Sequence, residues 1–171
     1  MSNLDQSLYY LAYGSNLHPL RLEARLGKVN RIGNVMLPGW NLCFHKRGAD
    51  GSGKGNLIQR QKSCAWGVIF EVSTQQKQRL DEFEGDGYEV QSLEVNVDGV
   101  NYNSFCYIAE PEWIDDSLIP HDWYQLLILL GAQHAVFPTR YLSQIQAQKT
   151  QYEPQGNTRH QQMLTAMRDS I

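Results

Sequence analysis

The chain has 171 residues, 42% of them hydrophobic, and a formal charge of −3 at pH 7. That length and apolar content suit one compact domain with a real core and exclude wholesale disorder. The mild acidity argues against a nucleic-acid partner, and the longest apolar run, near residues 126–132, is far too short for a membrane span.

Residues 8–12 read as an apolar, aromatic strand, Leu8-Tyr9-Tyr10-Leu11-Ala12, which ends abruptly at Tyr13-Gly14-Ser15-Asn16. A short helix is expected next, with Pro19 in its first turn and Gly27 just past its end. Residues 35–44 and 65–72 read as strands on either side of the glycine-rich stretch 48–55, which is expected to be a mobile loop. Ser73 and Gln76 fit a capping box for a helix running to about Glu84. Residues 88–97 and 100–109 read as two strands joined by Asp98-Gly99, a two-residue hairpin signal. Helical patterns follow Pro120 and Pro138. From about Lys149 the chain is polar and glutamine-rich, so residues 149–171 are expected as a loosely docked tail outside a main domain of residues 1–148. Strand and helix do not alternate regularly. The expected fold class is therefore α+β: a small, largely antiparallel sheet or barrel with helices packed outside.

Cys43, Cys64 and Cys106 are odd in number and widely spaced, and are expected to be free and buried in a reducing compartment. No N-terminal segment combines a basic end, an apolar core and a cleavage site, so a cytoplasmic location is expected. His18, His45, His121, His134 and His160 show no metal-ligand spacing. Gly53-Lys54-Gly55 lacks the eight-residue phosphate-loop pattern, and Ser15 lacks a nucleophile-elbow context. No metal or organic cofactor is expected.

Two places carry chemistry. A strand that stops in a Gly-Ser-Asn turn offers backbone N–H groups with small hydroxyl and amide side chains, which suits a carboxylate or a developing oxyanion. The segment from Leu80 to Glu89 holds five carboxylates in ten residues, four of them at or past the expected helix end. Negative charge is unfavourable there, and that field, neighbouring carboxylates and partial burial would all raise a carboxyl pKa toward the range of a general acid/base. A plain solvated acidic turn is the alternative. Glu84 is the best local candidate, because it precedes Gly85 and shares a helix face with inward-facing Leu80, whereas Asp81 and Glu82 lie further round.

Tyr13-Gly14-Ser15-Asn16-Leu17, Ala65-Trp66-Gly67-Val68-Ile69-Phe70, Leu80-Asp81-Glu82-Phe83-Glu84-Gly85 and Pro120-His121-Asp122-Trp123-Tyr124, with Leu130-Gly131-Ala132 and Phe137-Pro138, resemble the γ-glutamylcyclotransferase-like family in motif and order. The resemblance runs from about Tyr9 to Leu142. It implies a small β-barrel core and an enzyme that cyclises a small-molecule γ-glutamyl substrate to 5-oxoproline, as a monomer or homodimer. It assigns Glu84 as proton acceptor and Tyr10, Leu11, Ala12, Tyr13, Gly14, Ser15 and Asn16 as the substrate-holding segment. Tyr124, Tyr88 and Tyr107 fall where family aromatics line the pocket. The alternatives are a non-catalytic binding module on the same fold, or a cyclotransferase for a γ-glutamylamine or a biosynthetic intermediate.

Overall fold

Five strands frame the computed structural model, which describes residues 6–171. They are β1 (Leu8–Ala12), β2 (Asn30–Arg47), β3 (Gly53–Val72), β4 (Tyr88–Val97) and β5 (Val100–Ala109), in the sheet order β2-β3-β1-β5-β4. All pairings are antiparallel except that of β1 with β5. The central β1 is the most apolar strand because it is covered on both faces; Leu11 and Ala12 are fully buried. β2 and β3 shift register near Arg31, Pro38 and Cys43. Such bulges bend and twist a sheet. Here the sheet curls until its edges meet, so that a Cβ added to Gly33 of β2 would lie 2.6 Å from Val97 of β4.

The helices α1 (Pro19–Leu26), α2 (Thr74–Glu84), α3 (Asp122–His134), α4 (Thr139–Gln146) and α5 (Pro154–Asp169) pack around this sheet. Local chemistry sets their limits. The His18 ring accepts a hydrogen bond from the Leu20 N–H at 3.2 Å and starts α1; Gly27, at φ 78°, ends it. Ser73 and Gln76 form the reciprocal capping box of α2, and Gly85, at φ 67°, stops it directly after Glu84. Asp98 and Gly99 both have positive φ, as a tight hairpin turn between β4 and β5 requires.

The structure corrects three expectations. The glycine-rich stretch is a hydrogen-bonded turn leading into a strand, not an open loop. Its turn is tied by the Asp50 carboxylate, which accepts from the Ser52 N–H, the Ser52 hydroxyl and Lys54 Nζ, while residues 53–55 already belong to β3. Cys43, Cys64 and Cys106 are free, but of the three only Cys106 is buried; Cys43 is half-buried and Cys64 is exposed. The residues expected to form a loose tail instead include α5, which packs on α3 and α1. Its contacts form one sparse stripe at helical spacing: Gly156 against Trp123, His160 stacked on Trp123 at 4.3 Å, then buried Leu164 and Met167. Beyond it, Ser170 Oγ lies 2.9 Å from the His18 ring. Four anchors among glutamines are too few to read as an apolar face from sequence.

Met167 is fully buried, so Met167→Ala should lower the unfolding free energy by about 2–5 kcal/mol. Urea denaturation checks this; a loss under about 0.5 kcal/mol, within the range of ordinary surface substitutions, would mean that α5 is only loosely held.

Candidate active site

Topology gathers the candidate residues. β1 and β5 are parallel and β3 is antiparallel to β1, so one end of the sheet carries the ends of β1, β2 and β5 with the starts of β3 and β4. At that end Tyr10, Tyr13, Gly14, Ser15, Asn16, Gly55, Glu84, Tyr88, Tyr107 and Tyr124 line a small cleft. Two close backbone approaches shape it. A Cβ on Gly131 of α3 would stand 2.6 Å from Leu17, so this glycine lets the turn after β1 seat against α3. A Cβ on Gly55 would press within 3.3 Å of the Tyr124 hydroxyl.

Asn16 joins the turn to the acid. It is 2% exposed, and its Nδ2 donates to Glu84 Oε1 at 2.9 Å and to the Tyr10 hydroxyl at 3.2 Å. Its Oδ1 accepts from Arg25 of α1 at 3.1 Å. The amide expected to face a substrate anion is therefore committed to Glu84. The turn keeps other donors: among the described residues, none accepts a hydrogen bond from the backbone N–H of Gly14, Ser15 or Asn16.

Glu84 is the last residue of α2 and faces the cleft. Burial raises its pKa above the ordinary carboxyl value, opposed by Arg25, Arg21, Lys46 and the Asn16 hydrogen bond. Burial, not the neighbouring acids, causes the rise. Asp81 is instead paired with Lys77 at 2.9 Å and accepts from the Tyr107 hydroxyl at 2.6 Å, and Glu82 and Asp86 are exposed.

The tyrosine hydroxyls divide into two groups. Tyr13 donates to the Tyr107 carbonyl, Tyr107 to Asp81 and Tyr88 to the Gly55 carbonyl at 2.6 Å. Among the described residues Tyr10 and Tyr124 only accept, Tyr124 from the Gly55 N–H at 2.9 Å, so each keeps a proton to donate. Burial raises the pKa of both, Tyr124 to about 12, and keeps them protonated.

Of the residues singled out from sequence, Glu84, Tyr10, Tyr13, Gly14, Ser15, Asn16, Tyr88, Tyr107 and Tyr124 meet at this cleft. Leu11 and Ala12 lie in the core behind it. Sequence reasoning missed Gly55 of the cleft and four cations, Arg21, Arg25, Lys46 and Lys54, which line an adjoining cavity of about 430 Å³. The Arg21/Arg25 pair at i, i+4 on the helix after the turn was the available signal. Among the described residues, no cluster of three or more His, Cys, Asp or Glu side chains could hold a metal ion. No helix among them is long and apolar enough to cross a membrane.

The family model described as "Gamma-glutamyl cyclotransferase, AIG2-like" matches residues 10–126, and the chain belongs to that family. Among solved structures, one described as a gamma-glutamyl cyclotransferase aligns with a TM-score of 0.77 at 24% identity, covering 85% of this chain and 90% of its own. An uncharacterized protein from Homo sapiens gives 0.76 at 25% identity, over 85% and 89% of the two chains. YkqA from Bacillus subtilis gives 0.68 at 16% identity, over 85% of this chain and 56% of its own. No curated protein matches the chain.

A raised carboxyl pKa in the folded state means that ionised Glu84 opposes folding. Its stabilising contribution is present at acid pH and is lost as pH rises through the folded pKa. The stability of Glu84→Gln relative to the parent should therefore increase between pH 4 and 7, as read from urea midpoints. Asn16→Ala removes a bond that favours the ionised form, so carboxyl NMR should find the Glu84 midpoint higher in that variant. A pH-independent difference in the first case, or a lower midpoint in the second, would contradict these assignments.

Proposed function

We propose that the protein is a γ-glutamyl cyclotransferase, converting a small-molecule γ-glutamyl compound to 5-oxoproline and a free amine. The observation that carries this reading is the Glu84 carboxylate held at 2.9 Å by Asn16, beside a turn whose N–H groups have no acceptor among the described residues. The substrate's α-ammonium gives a proton to Glu84, and the freed amine attacks its own γ-carbonyl carbon. In the tetrahedral intermediate Glu84 passes that proton to the departing nitrogen and takes the second proton from the ring nitrogen; the γ-carbonyl re-forms as its bond to the departing nitrogen breaks, and Glu84 gives the second proton to the released amine, which leaves as an ammonium. Atoms and charge balance without a further reactant.

The chemistry suits this wall. Nucleophile and electrophile belong to one molecule, so much of the barrier is met by holding a folded conformer. Tyr10 and Tyr124 supply donors for that purpose, and the N–H groups of the turn favour negative charge on the substrate. A carboxyl pKa raised by burial makes Glu84 a stronger base than a solvated carboxylate while nearby cations keep it ionisable.

Glu84→Gln should fold as the parent does and lose about 10²–10⁴-fold in kcat/KM for 5-oxoproline formation, the usual worth of general acid/base help. Incubation with a panel of γ-glutamyl compounds, with 5-oxoproline quantified, checks this. Turnover of the variant within threefold of the parent would remove Glu84 from the mechanism, and no product from any compound would overturn the proposed activity.

A further inference from the structure

The cavity next to the cleft has walls that proton transfer does not explain. It shares Ser15, Glu84, Tyr88 and Tyr124 with the cleft and continues outward from the acid for about 430 Å³. A γ-glutamyl group gripped by the turn would direct its leaving amine into this space. Arg21, Arg25, Lys46 and Lys54 line it, together with Trp113 and Trp123.

These cations are not equally committed. Lys54 is paired with Asp50 at 2.9 Å. Lys46 is 4% exposed; its Nζ donates to the Asp86 carbonyl at 2.6 Å and sits over the rings of Tyr88 and Trp113, and it feels the charges of Glu84, Asp86 and Glu110 without a direct ion pair to any of them among the described residues. Arg25 donates to the neutral amide of Asn16. Arg21 is 8% exposed, and its buried Nε has no hydrogen-bond partner among the described residues. Burial and the adjacent Arg25 lower its pKa to about 10, partly offset by Tyr124 and Glu84. A guanidinium so deeply placed is costly unless an anion meets it.

With the Glu84 charge matched by the substrate's ammonium, Arg21, Arg25 and Lys46 outnumber the remaining lining acid, Asp86, by two. The surplus has two centres, a pair of guanidiniums on α1 and one ammonium on β2. Guanidiniums suit planar carboxylates, whereas Lys acts as a point charge. On the cyclotransferase reading proposed above, we infer that this vestibule selects a leaving amine bearing two carboxylates, an amino dicarboxylate, with Arg21 as the buried anchor and Lys46 as the second contact.

The test compares kcat/KM for γ-glutamyl-glutamate, γ-glutamyl-glutamine and γ-glutamyl-butylamine. The first two have nearly the same shape and differ by one charge. Turnover should favour γ-glutamyl-glutamate over γ-glutamyl-glutamine at least tenfold, and over the butylamine by more. The first ratio should shrink as salt rises from 0.05 to 0.5 M. Arg21→Gln should cut it to threefold or less; because a buried substitution can impair folding, Lys46→Gln provides the second variant, read by the same ratio. Parent ratios within threefold, with 5-oxoproline formed, would overturn the inference and leave the cyclotransferase reading standing. No 5-oxoproline from any compound would overturn both.

Discussion

One buried amide ties the site together. Asn16 donates to Glu84 and Tyr10 and accepts from Arg25, so it links the turn after β1 to the end of α2, to the sheet and to α1. The polarity of the amide fixes its orientation, with the NH₂ toward the carboxylate and the carbonyl toward the guanidinium. An aspartate at this position would set a second carboxylate against Glu84, and an apolar residue would leave Glu84 and Arg25 without their bonds. The turn cannot move independently of the acid, and the acid cannot swing into solvent without breaking the bridge.

The protonation state of that acid reflects opposing effects of similar kind. Burial disfavours the carboxylate, while Arg25, Arg21, Lys46 and the Asn16 bond favour it, and burial prevails. Without the cations the rise caused by burial would be larger. Without burial it would be a weak base, saturated by water. The cations therefore act on Glu84 before any substrate arrives, and their excess over the nearby acids gives the adjoining cavity a positive wall.

Local chemistry made much of the fold legible. The Ser73/Gln76 box, the stops at Gly27 and Gly85 and the Asp98-Gly99 turn each rest on short-range hydrogen bonds or backbone geometry that a few residues determine. Glu84 was legible for a related reason, since an acid at a helix end breaks a local rule. The remaining features depend on distant contacts. The reach of β2 and β3 comes from their pairing with each other through bulges, not from the propensity of a polar stretch such as Gln59-Arg60-Gln61-Lys62. The docking of α5 depends on Trp123, which lies about thirty residues earlier and receives both Gly156 and His160. The cationic wall is assembled from α1 and β2, and no single window of sequence holds it.

The commitments of the tyrosines explain how a cleft with so many hydroxyls can be selective. A buried hydroxyl without a partner is costly, and in the wall nearest β5 and α2 that cost is avoided within the protein: Tyr13, Tyr107 and Tyr88 each donate to a protein acceptor. Tyr10 and Tyr124 are pinned through their oxygens, by Asn16 and by the Gly55 N–H, which fixes the rings while leaving each proton uncommitted. Burial keeps both phenols protonated, so they act as donors and not as bases. Among the groups that meet at the cleft, the ability to take up a proton is thus concentrated in Glu84, and a substrate meets one base among fixed donors.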